Sequence, residues 1–238
     1  RRSLIPSLLD VRRINESLSN EVIELFETAR VYLPNAAGLP GEQWTLGLTS
    51  GGDFLAIKGV VESLVQAIAP HAKLELAATE QPLLDRDRSG ELRLGGERFG
   101  FLGEVTAAGL KQFGLRSRTT VAEISLDRLV AVAELTRLFS ELSPYPSIAR
   151  DLNLIVDESL RWAELESKVR GVIGSLLERL EYRETYRDRE KDGAGKKRLL
   201  FTITLRSPQR TMTNEEADTI RAQVVAACET SFQAKLLA

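Results

Sequence analysis

The sequence predicts an α+β chain in two parts: an antiparallel sheet with covering helices, then a ferredoxin-like βαββαβ sandwich. Three observations predict it. The stretch Pro144-Tyr145-Pro146-Ser147-Ile148-Ala149-Arg150-Asp151-Leu152-Asn153-Leu154-Ile155-Val156-Asp157 sets two prolines directly ahead of an alternating apolar run. Prolines so spaced bar a helix and extend the residue before each, so this is a connector running into a strand. The roughly 95 residues from there onward read as strand, helix, strand, strand, helix, strand. The roughly 140 before it mix hairpins and helices without βαβ repeats, which favours antiparallel pairing. The two predicted domains are residues 1–141 and 144–238.

Composition narrows the class without choosing a function. The chain has 238 residues, 43% hydrophobic and 28% charged, with a formal net charge of -2. That suits a soluble globular protein and excludes a polycation. The first part carries about -3 and the second about +1, and neither value names a partner. No apolar run reaches the ~20 residues that span a bilayer, so no membrane partner is expected, and no signal peptide is visible. A lone cysteine, Cys228, fits a reducing, cytoplasmic setting and a buried core role. The chain begins Arg1-Arg2-Ser3 without an initiator Met, and a piece of a longer protein is expected.

In the first part, residues 3–18 predict an amphipathic helix entered through Pro6. Residues 22–33 alternate as a strand, and Trp44 to Leu48 form a second. Gly51-Gly52-Asp53 reads as a strand-to-helix turn with Asp53 as N-cap. It lacks the glycine spacing and Lys-Ser/Thr of a phosphate loop. The helix it opens ends at Pro70, and Lys58 on it reads as solvated. His71 has no second histidine or cysteine cluster to form a metal or triad site. Lys73 to Ala78 is a weak strand and Asp85 to Gly90 a charged turn. Gly95-Gly96 turns a hairpin. Phe99, Phe101 and Val105 are assigned one face, and Gly103 marks a bulge or close backbone approach. Thr106 to Phe113 is a short helix and Thr120 to Leu126 a strand. Asp127 is assigned as cap of a helix running to about Phe139.

In the second part the strands are Arg150 to Val156, Glu181 to Arg187, Lys197 to Leu205 and about Phe232 to Leu236. The helices are about Trp162 to Leu180 and one opened by Thr213. Glu216, three residues after Thr213, completes a capping box. A charged loop, Asp188 to Gly195, joins the second and third strands.

No paired carboxylates, Ser-His-Asp set or metal cluster emerges in either part, so catalytic and metal-ligating residues are assigned to none. Basic residues instead gather at the strands of the second part. Arg150, Arg183, Arg187, Lys196, Lys197, Arg198, Arg206 and Arg210 flank Tyr186 in sequence. Cations with an aromatic ring on an open sheet suit single-stranded RNA, through phosphate contacts and base stacking. The same residues equally suit an exposed strand edge kept soluble by Lys and Arg.

Several stretches resemble one family. They are Arg2-Ser3-Leu4-Ile5-Pro6-Ser7-Leu8-Leu9, then Leu25-Phe26-Glu27, then Asp53-Phe54-Leu55-Ala56-Ile57-Lys58-Gly59-Val60-Val61-Glu62. Tyr145-Pro146-Ser147-Ile148-Ala149-Arg150-Asp151-Leu152 looks like the family's proline-x-x-x-Arg-Asp-Leu signature. Lys196-Lys197 through Leu205-Arg206, followed by Arg210-Thr211-Met212-Thr213-Asn214-Glu215-Glu216, completes the set. In this order and spacing they resemble the C-terminal part of the bacterial phenylalanyl-tRNA synthetase beta subunit.

The resemblance implies that residues 1–141 form a class II synthetase-like core without an active site, a platform for the alpha subunit. It implies that residues 144–238 form a ferredoxin-fold anticodon-binding domain. The intact enzyme would be an α2β2 tetramer that charges tRNA with phenylalanine, using ATP and magnesium; this piece would bind no cofactor and be inactive alone. The family's Asp-x-Tyr motif, whose carboxylate and ring meet anticodon bases, matches Glu184-Thr185-Tyr186. Arg198 stands where the family often has Ser, implying a phosphate contact in place of a base contact. Lys197, Arg150 and Arg206 complete the expected RNA-binding set. The C-terminus, Lys235-Leu236-Leu237-Ala238, departs from the family's usual ending. A ferredoxin-fold small-molecule regulatory module is the alternative, and a free-standing adenylate-forming enzyme a further rival.

Overall fold

The computed structural model describes residues 1–35, 38–136, 139, 141 and 143–237. The chain divides into two compact units, Arg1–Leu138 and Phe139–Ala238.

The first unit is built on a six-stranded antiparallel sheet in the order β1-β2-β6-β5-β4-β3. Its strands are β1 (Leu25–Leu33), β2 (Gly41–Ser50), β3 (Leu74–Ala77), β4 (Leu84–Leu94), β5 (Glu97–Val105) and β6 (Thr120–Ser125). Its helices are α1 (Ile5–Ser17), α2 (Phe54–Ile68), α3 (Ala107–Phe113) and α4 (Leu126–Ala131). Each sheet face has its own core. Ile57, Val61 and Val65 of α2 and Leu129 of α4 pack with Leu92, Phe99, Leu102 and Ile124. On the other face Leu4, Leu8 and Leu9 pack with Val31, Val105 and Val121, joined by Leu110 and Phe113 of α3. Burying both faces is what removes this apolar surface from water.

Local signals set several ends. Asp53 caps α2, its carboxylate accepting from the Ala56 N–H at 2.8 Å. Glu123 on β6 closes the start of α1, accepting from the Leu4 N–H at 2.6 Å and the Ser3 hydroxyl at 2.7 Å. A carboxylate there faces the positive end of the helix. Gly95 and Gly96 turn the β4–β5 hairpin with φ of 60° and 83°, the left-handed region that glycine enters freely.

Three expectations change in this unit. Asp85 to Gly90 is not a turn: it lies within β4, whose ladder to β5 shifts register between Leu84 and Ser89. Charged side chains on an irregular, exposed stretch hid the strand. A second shift sets Arg93 against Arg98 and leaves Phe99 unpaired, so Phe99 joins the α2 core while Phe101 and Val105 join the α1 core. The helix after β6 is capped by Ser125, whose hydroxyl accepts from the Arg128 N–H, and it ends at Ala131. Asp127 instead accepts from the Trp44 N–H at 2.9 Å. Arg137, Leu138 and Ser140, near the predicted end of that helix, lie outside the described residues.

The second unit runs β7 (Ile148–Asp157), α5 (Trp162–Ile173), β8 (Leu177–Tyr186), α6 (Arg189–Asp192), β9 (Lys196–Leu205), α7 (Asn214–Phe232) and β10 (Lys235–Leu236). The sheet order is β10-β7-β9-β8, all antiparallel, the arrangement expected of a βαββαβ sandwich. Leu152, Leu154 and Val156 of β7 and Leu199, Phe201, Ile203 and Leu205 of β9 pack under Leu165 and Val169 of α5 and Val224 and Cys228 of α7. Trp162 fills one end, its ring centre 5.4 Å from Tyr182 and 5.5 Å from Phe201. The capping box is formed: Thr213 and Glu216 each accept from the other's backbone N–H. The predicted helix to Leu180 is a correction. Gly174, at φ 63°, ends α5, and Leu177 already opens β8. The apolar pairs Val172-Ile173 and Leu176-Leu177 suit either helix or strand by periodicity, and Gly174 between them decides.

Candidate nucleic-acid interface

Alternation along β9 separates two faces of the second sheet. Leu199, Phe201, Ile203 and Leu205 point to α5 and α7, so Arg198, Leu200, Thr202 and Thr204 belong to the face away from those two helices. Register carries that assignment across the sheet. Tyr186 pairs with Arg198 and Glu184 with Leu200, placing both on that same face. The ladder shifts between Tyr182 and Glu184, so Arg183 is the extra residue of a bulge.

Tyr186 is 51% exposed. The Arg198 guanidinium lies over its ring, 5.4 Å from the centre. Arg198 is itself clamped: Nε donates to Asp192 Oδ2 at 2.6 Å and Nη2 to Oδ1 at 2.9 Å. Asp188 Oδ2 lies 3.9 Å from Nη2, and Asp188 also caps α6 through the Lys191 N–H. The Asp192 hydrogen bonds, followed by the nearby carboxylate charges, hold the Arg198 pKa above its ordinary value. A second line of hydrogen bonds crosses three strands of this face. Arg183 Nε donates to Thr202 Oγ1 at 3.0 Å, and the Thr202 hydroxyl donates to Asp151 at 2.6 Å. It gives the buried Thr202 hydroxyl both a donor and an acceptor partner and ties the bulge to β7.

The remaining three expected residues stand elsewhere. Arg150 pairs in register with Ile203, which puts it on the helix side. There Nε donates to Asp218 at 2.7 Å and Nη2 to Asn214 Oδ1 at 3.0 Å, at the first turns of α7. Lys197 pairs with Val156, also on the helix side, and donates to the Glu158 carbonyl at 2.8 Å. Arg206 follows the far end of β9, eight residues from Arg198, about 26 Å along a strand. It binds Glu178 at 2.8 and 3.0 Å and the Tyr145 carbonyl at 3.0 Å. A basic residue's strand position does not reveal its face partner, and each of these cations already has one.

Sequence reasoning missed Asp192 and Thr202. Asp188 carried a usable signal, an N-cap residue ahead of a short charged run. Asp192 carried none, because its pairing with Arg198 depends on how the loop folds back. Among the described residues no group of three or more His, Cys, Asp or Glu is placed to hold a metal ion, and no helix is long and apolar enough to cross a membrane.

The phenylalanyl tRNA synthetase beta chain CLM domain family matches residues 1–126, and the ferredoxin-fold anticodon binding domain family matches residues 143–237. A phenylalanine–tRNA ligase beta subunit from Rhodopirellula baltica is 41% identical over 248 residues, covering 100% of this chain and 36% of that protein. The beta subunit from Geobacillus kaustophilus is 31% identical, covering 99% and 31%. The chain thus spans about a third of the length of the curated relatives it matches. A pyrrolysyl-tRNA synthetase crystal structure from Desulfitobacterium hafniense aligns with a TM-score of 0.46 and 17% identity, over 56% of this chain and 49% of that one. With one family match spanning 126 residues of the first unit and another nearly all of the second, the chain belongs to the phenylalanyl-tRNA synthetase beta chain family.

Proposed function

We propose that this chain is the C-terminal portion of the non-catalytic subunit of a phenylalanine–tRNA ligase, and that its second unit binds the anticodon region of tRNA. One observation supports this above the others. Within the span matching an anticodon-binding family, the sheet face away from α5 and α7 presents an exposed tyrosine beside a carboxylate, Tyr186 and Glu184. An aromatic ring on an open sheet stacks on an unpaired base, and a carboxylate accepts hydrogen bonds from a base's amino or imino groups. Arg198 stands beside them.

Residues 1–141 are read as a synthetase-like core that docks the catalytic alpha subunit in an α2β2 assembly, with residues 144–238 as the RNA module. ATP and magnesium serve the reaction in the partner. A cytoplasmic location follows from the same reading.

The test is binding of an RNA stem-loop carrying the anticodon arm of phenylalanine tRNA, measured for the chain and for Tyr186→Ala. Loss of base stacking weakens binding by about 1–3 kcal/mol. Unchanged affinity removes the assignment of Tyr186 as a base platform.

A further inference from the structure

We propose that Arg198 is a positioning residue for Tyr186 rather than a phosphate contact, and that Asp192 holds it in that role. The inference rests on reading Tyr186 as the base platform.

Three features carry it. Arg198 and Tyr186 are register partners on one sheet face, with the guanidinium over the ring. A cation over an aromatic face is attracted to the ring's quadrupole. That contact occupies one ring face and leaves the other to a stacked base. The guanidinium is also already held through its Nε and Nη2 edge by a carboxylate. Asp192 engages it through two hydrogen bonds, with 2% of the Asp192 side chain and 15% of the Arg198 side chain exposed. A planar fork bound at both prongs has a fixed plane, which a lysine in its place does not reproduce. Finally, the local charge is wrong for a phosphate. Arg198 and Lys191, whose Nζ lies 3.8 Å from Asp188, balance the Asp188 and Asp192 carboxylates, so the cluster has no surplus positive charge for an incoming phosphate.

The two roles predict opposite signs for Asp192→Asn. A phosphate-contacting Arg198 is freed by that change, so RNA binds more tightly and depends more steeply on salt. A positioning Arg198 loses its anchor, so binding of the anticodon-arm RNA weakens, by about threefold. For Arg198→Met the phosphate role lowers the slope of log affinity against log salt by about 0.7. The positioning role weakens binding and leaves the slope unchanged.

The experiment is titration of the full 238-residue chain with that stem-loop across a potassium chloride series, for Asp192→Asn, Arg198→Met, Tyr186→Ala and the double variant Tyr186→Ala/Arg198→Met. Unfolding midpoints confirm that each variant is folded. The expected result is weaker binding by both single variants at Asp192 and Arg198, unchanged slopes, and no added loss from Arg198→Met once Tyr186 is absent. Tighter binding by Asp192→Asn, a reduced slope for Arg198→Met, or additive losses in the double variant overturns the proposal. If Tyr186→Ala alone binds normally, the base-platform reading fails. The tyrosine ring signals in the NMR spectrum then decide the remainder: unchanged Tyr186 signals in Arg198→Met overturn the positioning role, and shifted, broadened ones support it.

Discussion

Arg150 of β7 and Asp218 of α7 are joined at 2.7 Å, tying the first strand of the second unit to its last helix. The Arg150 side chain is partly shielded, and its Nη2 also reaches Asn214 at the start of α7. We expect Arg150→Ala to lower the stability of this unit by about 1 kcal/mol. Affinity for anticodon-arm RNA should stay within about twofold, since the residue lies on the opposite sheet face from Tyr186. Chemical denaturation beside RNA titration checks both; a large loss of RNA affinity without loss of stability contradicts the structural role.

Glu216 gives the second unit an acid-sensitive element. Ion pairing with Arg210, and then the hydrogen bond from the Thr213 N–H, hold its carboxyl at about 2, below its ordinary 4.5. A depressed pKa means the carboxylate stabilises the folded state fully above the unfolded value, and that contribution fades as pH falls from about 4.5 toward 2. Glu216→Gln should therefore show a shallower loss of stability across that window than the parent. Urea midpoints taken through the acid range read this directly, and parallel acid limbs for the two proteins exclude it.

Gly100 has no room for a methyl group. A Cβ there would sit 2.1 Å from the Glu123 carbonyl oxygen of β6 and 2.8 Å from the Ile124 Cα. Both are backbone atoms, so β5 and β6 must separate at the centre of the first sheet. Gly100→Ala is expected to cost about 3 kcal/mol. Thermal or urea unfolding of the first unit measures it, and a wild-type midpoint refutes the close approach.

Cys228 should be inert. It has no exposed surface in the α7 core, and burial raises its thiol pKa to about 11. The thiolate is the reactive form, so it is scarce near neutral pH as well as inaccessible. A thiol-specific reagent should label the chain only at the rate of unfolding. Rapid stoichiometric labelling of folded protein contradicts that burial.

Local chemistry made much of the fold legible. Asp53 and Thr213 are caps by residue type and position, and each accepts the hydrogen bond that the type predicts. The strict alternation of Leu199, Phe201, Ile203 and Leu205 marked a strand with one buried face. Where local signals conflicted, the reading failed. Charges over residues 85–90 masked β4, and the run before β8 fitted two periods until Gly174 broke it. For the candidate site, the residue types Tyr186, Glu184 and Arg198 were readable, but not the partition of the basic residues.

The sequence by itself determined the order of the main elements, the caps at Asp53 and Thr213, the single buried cysteine and the resemblance that names the family. Those depend on neighbours within a few residues and on patterns of period two or 3.6, which the chain carries linearly. Tertiary structure alone decided which cations are occupied. Arg150 meets Asp218, 68 residues away, and Arg198 meets an Asp192 that only the folded loop brings back. Register then sorted the faces, because a strand's side chains alternate and a bulge at Arg183 shifts that parity. That is why basic residues that look alike in sequence part into a helix tie, a loop anchor, a strand-end clamp and a support beneath one tyrosine ring.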